Sequence, residues 1–97
     1  MTEVRRTEIF DRWLRKLGDQ LAQHRIHVGI DRLVLGLGDV KSLRGGIWEM
    51  RVSYGPGYRL YFVRRGREII ILLCGGDKGS QDLDIKGARE IAACLEE

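Results

Sequence analysis

The chain has 97 residues, 43% of them hydrophobic and 32% charged, with 17 basic side chains against 14 acidic ones and a formal net charge of +3. That describes a single domain over residues 1–97, small but able to fold on one core, and too apolar to be disordered. No apolar run approaches the ~20 residues of a membrane helix, the opening "MTEVRRTEIF" lacks a signal peptide's apolar stretch, and Cys74 and Cys94 sit in strand-like and helix-like patterns rather than a disulfide framework. The expectation is a cytoplasmic domain with reduced thiols.

Residues 3–6 form a short candidate strand. Thr7 can cap a helix whose first turn holds Glu8 and Asp11, and Ile9, Phe10, Trp13, Leu14 and Leu17 recur at helical spacing. Gly18 is placed to end that helix and Asp19 to cap the next. The second helix carries Ala22, Ile26, Ile30 and Leu33 on one face, leaves Arg25 and Arg32 for the other, and stops near Gly36. Val40–Leu43 is a short strand, and Arg44-Gly45-Gly46 turns it into a strand over 47–53. In "SYGPGYRLYF", Pro56 presets φ at the second turn position and Gly57 accepts positive φ at the third, so a strand over 58–63 folds back on its predecessor. A turn at 64–67 leads to residues 68–74, whose "IIILLC" is the continuous apolar run of a strand covered on both faces. After the loop at 75–79, Ser80 or Asp82 caps a last helix with Ile85, Ala88, Ile91 or Ala92, and Leu95 on its buried stripe.

The order is a short N-terminal strand, a two-helix hairpin, an antiparallel meander of three or more strands and a C-terminal helix. That predicts an α+β two-layer sandwich with the helices on one sheet face. Met50, Leu60 and Phe62 suit the covered face, which places Glu49, Arg51, Arg59 and Tyr61 on the other. Residues 41–78 hold eight basic side chains against three acidic ones, and thirteen of the seventeen basic residues are arginine. Such a concentration points to an anionic partner, RNA or DNA, or to a solvated basic surface. Arg51 and Arg59 can meet two phosphate oxygens, or they can simply bridge Glu49. Tyr61 can stack on a base or serve as a sheet aromatic. "GGDKGSQD" joins a buried strand to a helix and makes Lys78 a phosphate-binding candidate, although it lacks the Walker spacing. Lys41, Arg64 and Arg65 are further RNA-binding candidates. His24 and His27 lack a third ligand, so neither a metal nor a small-molecule cofactor is expected.

The stretches "FDRWLRKLGD", "RIHVGIDRLVLGLGDVKSL", "GIWEMRVSYGPGYRLYF" and "LLCGGDKGSQDLDIKGA" run from Phe10 to Ala88. In them the chain resembles the RelE/ParE superfamily of type II toxin–antitoxin toxins, and within it the HigB-like branch of addiction-module killer proteins. The resemblance implies a RelE-like fold and metal-independent cleavage of mRNA on the ribosome, by attack of a ribose 2′-OH on its own phosphate. It implies catalytic roles for Arg59, matching the arginine that stabilises the scissile phosphate, for Arg51 on the preceding strand, and for Lys78. Glu49 stands where some relatives carry lysine; it can take the 2′-OH proton or only neutralise its neighbours. No tyrosine or histidine follows Lys78 as the family's acid or base. The implied partners are a cognate helix-turn-helix antitoxin and mRNA on the ribosome, with no membrane. A ParE-like gyrase poison and a non-catalytic RNA-binding module are the alternative readings.

Overall fold

A computed structural model describes residues 2–95. Its elements are β1 (Glu3–Arg6), α1 (Glu8–Lys16), α2 (Gln20–Val34), β2 (Asp39–Ser42), β3 (Trp48–Val52), β4 (Tyr58–Arg65), β5 (Ile69–Gly76) and α3 (Gln81–Cys94), with 3-10 turns at Arg44–Gly46 and Lys78–Ser80. The five strands form one sheet in the order β1-β5-β4-β3-β2. The α+β class, the meander and the C-terminal helix are as the sequence predicts. β1 lies parallel to β5 and every other pair is antiparallel.

The helix starts follow from local chemistry. The Thr7 side chain accepts from the Phe10 N–H, and the Asp19 carboxylate from the N–H groups of Leu21 and Ala22. Each satisfies donors that the first helical turn leaves unpaired. Gly18 does not adopt positive φ, so α1 ends in an extended Leu17 instead of a left-handed cap. The hairpin turn also differs from expectation. The Gly57 N–H bonds to the Tyr54 carbonyl, which makes Gly55 (φ 57°) and Pro56 the two central residues. The connection is five residues long, between the paired Val52 and Tyr58, and Gly57 does take the positive φ expected of it (81°).

Alternation along the strands produces two apolar faces. Met50, Leu60, Phe62, Ile70 and Leu72 pack with Phe10 and Leu14 of α1 and with Ala22, Ile26, Ile30 and Leu33 of α2. Their neighbours Tyr61, Val63, Leu73 and Cys74 pack with Ile47 and with Ala88 of α3, flanked by Ile85, Ile91, Ala92 and Leu95. The terminal helix therefore covers the second face, and not all helices share one side as expected. The cause is legible in "IIILLC": both sides of β5 are apolar and both need cover. A register jump between Tyr61 and Phe62 leaves Leu73 without a direct partner, since Phe62 faces Leu72 and Tyr61 faces Cys74. α1 lies close against the sheet at Gly75, where an added Cβ would stand 2.3 Å from the Trp13 ring.

Candidate functional site

On the second face, running from beneath α3 out to its margin, β3 and β4 carry a polar cluster. Arg51 and Arg59 are direct cross-strand partners, as are Glu49 and Tyr61. Directly opposed residues share a face, so all four side chains project to the α3 side. This explains two arginines in the middle of neighbouring strands: the Glu49 carboxylate serves both. Its Oε1 lies 3.8 Å from Arg51 Nε, and its Oε2 lies 3.6 Å from Arg59 Nε.

The two arginines are not equivalent. Arg51 has a side chain 48% exposed, whereas Arg59 is buried at 7% and Glu49 at 1%. Arg59 was expected to be an exposed sheet arginine; the start of α3 and the Gly57 turn enclose it instead. Its Nη1 donates to the Gly57 carbonyl at 3.3 Å. A Cβ added at Gly57 would stand 3.7 Å from that nitrogen and 3.8 Å from Lys78 Cβ. Gly57 (φ 81°) thus sits where Arg59 and the exposed Lys78 converge.

The segment Asp77–Gln81 completes the cluster. The Asp77 carboxylate accepts from the N–H groups of Gly79 and Ser80, while Ser80 Oγ accepts from the Asp77 N–H. This reciprocal cap fixes the turn that carries Lys78. Gln81, the first residue of α3, donates from Nε2 to Glu49 Oε2 at 2.9 Å. Ser80 Oγ also donates to Asp84, whose carboxylate occupies the space a side chain at position 76 would need. Gln81 and Asp84 were not singled out from sequence, and Ser80 only as a possible cap of the last helix, a position it holds without a capping bond from its side chain. Their only signal was a polar, glycine-flanked strand-to-helix connection.

The cluster is electrostatically taut. Glu49 Oε1, Arg59 Nε and the Tyr61 hydroxyl are buried without a hydrogen-bond partner of ordinary geometry. Burial, and then the neighbouring Glu49 carboxylate, push the Tyr61 phenol far above its ordinary value. Burial and Asp84 push the Cys74 thiol up to about 12. Both groups stay neutral at physiological pH.

The remaining candidates separate. Tyr61 is fully buried beneath α3 with no face of its ring open to a base, and of its two readings the sheet aromatic is the one this burial matches. Glu49 is too deeply enclosed for an RNA hydroxyl to reach it in this conformation; its geometry is that of a counter-ion holding two guanidinium groups. Arg64 projects to the α1–α2 face, its guanidinium 4.6 Å from the Trp48 ring centre, and is not brought to the cluster. Arg65 shares the face of Arg59 but lies six residues along β4, about 20 Å away. Lys41 is exposed on edge strand β2, opposite Glu49 in register. His24 and His27 are exposed on α2.

Residues 12–93 match the family described as "Phage derived protein Gp49-like (DUF891)". The chain is also 45% identical over 91 residues to a protein of Haemophilus influenzae described as an uncharacterized protein, an alignment covering 93% of this chain and 92% of that one.

Proposed function

The chain belongs to the Gp49-like family of phage-derived proteins, and from that premise we propose that it is the toxin of a toxin–antitoxin pair, a RelE/HigB-like endoribonuclease acting on mRNA at the ribosome. The observation that carries this reading is the pair of arginines on neighbouring strands, held on one sheet face by one buried carboxylate beside an exposed lysine.

Cleavage by an RNA's own 2′-OH asks for alignment and for positive charge on the phosphate as it gains negative charge. Glu49 meets both arginines through their Nε atoms, which leaves the terminal amino groups of the half-exposed Arg51 free for a non-bridging oxygen. Arg59, tied to Gly57, supplies a fixed positive wall behind it. Lys78 stands beside Arg59 at the Gly57 turn. Because guanidinium and carboxylate are already oriented, little reorganisation accompanies the build-up of charge. A cognate antitoxin, with an adjacent helix-turn-helix protein the expected form, silences the protein by covering or crowding this face.

The test is brief induction of the wild-type protein and of Arg51→Ala in growing cells, followed by mapping of mRNA 5′ ends. The expected result is new ends inside translated codons for wild type and at least a hundredfold fewer for the variant. Intact mRNA accompanied by DNA-damage signalling would overturn this reading in favour of gyrase poisoning.

A further inference from the structure

A cleft of about 470 Å³ opens where α2 and the start of β2 diverge, lined by Arg25, Val28, Gly29 and Arg32 on one side and by Gly38, Asp39, Met50 and residues 51–53 on the other. Its floor is apolar: Met50 and Val52 belong to the core, and Gly29 brings α2 close, since an added Cβ there would meet Met50 Cε at 3.2 Å. Its walls are cationic. Arg25 and Arg32 lie seven residues apart on one helix face, about 10 Å along the axis. Both are exposed, and among the described residues neither has a carboxylate within 4 Å. Arg25 instead lies over the Tyr54 ring, 5.4 Å from its centre, and the Tyr54 hydroxyl is tied to Asp19.

This cleft lies across strand β3 from the cluster already described. Arg51 borders it from the strand while its side chain pairs with Glu49 on the α3 side, and Tyr54 opens the turn whose last glycine lies beside both Arg59 and Lys78. An apolar floor between two guanidinium groups that lack a carboxylate partner suits a base flanked by phosphates. The volume falls in the range of small-ligand pockets. We propose that the α2–β3 cleft is a second RNA contact, holding a nucleotide of the same single strand whose neighbouring phosphate lies on Arg51. The proposal rests on the reading of the sheet face as an RNA site, and it assigns Arg25 and Arg32 to substrate binding, not to the reaction.

The test uses a short 2′-O-methyl RNA oligonucleotide, which has no free 2′-OH and cannot be cut. Its affinity for wild type and for Arg25→Ala/Arg32→Ala is measured across a salt series, with folding checked by circular dichroism. Two lost phosphate contacts should flatten the slope of log affinity against log salt by about 1.4 and weaken binding roughly tenfold or more at moderate salt. An unchanged slope and affinity would overturn the proposal. So would a poly-glutamate peptide that binds wild type more tightly than the RNA does and loses affinity in the variant, since that marks a protein-docking surface. Binding is read here without cleavage. If the cellular mRNA stays intact while the oligonucleotide still depends on Arg25 and Arg32, the endonuclease reading falls and this one stands.

Discussion

Arg59→Ala is expected to damage the fold before it damages any activity. Arg59 is 7% exposed and its Nε lies 3.6 Å from Glu49 Oε2, itself on a residue 1% exposed. At an effective dielectric of about 20, unit charges at that separation attract by about 5 kcal/mol. The loss is smaller than this, because Arg51 at 3.8 Å and the Gln81 amide at 2.9 Å still serve the carboxylate. We expect a net cost of about 3 kcal/mol, the scale seen when one partner is stripped from a buried pair. For a domain of this size that lowers Tm by roughly 12–24 °C. Urea unfolding of wild type, Arg59→Ala, Glu49→Gln and the double variant is the measurement. The double variant should recover part of the loss, with a coupling of about 1–3 kcal/mol, because a neutral amide no longer needs the cation. Arg59→Ala within about 0.5 kcal/mol of wild type, and an additive cycle, would refute the account. Loss of toxicity in Arg59→Ala is for the same reason no evidence of catalysis.

The clean functional substitution is Arg51→Ala: with its side chain half exposed, it should cost no more than about 1 kcal/mol in urea unfolding, and a larger loss would make it structural. Gly75→Ala places a methyl 2.3 Å from the Trp13 ring and should destabilise by about 1–3 kcal/mol; unchanged stability would mean that α1 shifts freely. With an aromatic disulfide reagent, the exposed Cys94 should react at once and Cys74 only on unfolding, since burial pushes its thiol up to about 12; two fast thiols would contradict the packing of β5 under α3. Folded Cys74 and Tyr61 both titrate above their ordinary values of 9.0 and 10.0, so the unfolded chain loses those protons first. Their contribution to stability is complete below about pH 9 and disappears as pH rises toward about 12. The urea midpoint should therefore fall over that window, and less steeply in Tyr61→Phe; identical slopes would refute the assignment.

Much of this fold is legible in the residues because local and global signals agree. Thr7 and Asp19 cap where their side chains suggest, and the helical stripes of Phe10–Leu14 and Ala22–Leu33 face the core. The alternation in β3 and β4 likewise places Glu49, Arg51, Arg59 and Tyr61 together. What alternation cannot supply is cover. A period of two assigns a residue to a face, but whether a helix lies over that face depends on where the chain goes after β5. For that reason Arg59 and Tyr61, expected in the open, lie beneath the last helix and its entry turn. The hairpin was misplaced by one residue for a related reason: Gly55 and Gly57 both accept positive φ, and only the closing bond from Gly57 to Tyr54 decides which pair is central. Gln81 lay out of reach because its bond to Glu49 spans 32 positions and carries no spacing rule.

The same cover gives the two arginines different surroundings. A buried arginine is well oriented but poorly reached, while an exposed one is reached easily and held loosely at a cost in side-chain entropy. Glu49 couples the two conditions. Its Oε2 side faces the enclosed Arg59 and the Gln81 amide, which immobilise it, and its Oε1 side faces Arg51, which touches solvent. The order imposed by α3 on the inner pair is passed to the outer arginine through one carboxylate. On the proposed function, a phosphate arriving at Arg51 meets a guanidinium already oriented by a partner whose own position is fixed. Neutralising Glu49 should accordingly loosen Arg51 without moving the strands. Glu49→Gln is expected to weaken RNA binding severalfold while Arg51 remains present. Unchanged affinity for the uncleavable oligonucleotide would show that Arg51 needs no such support.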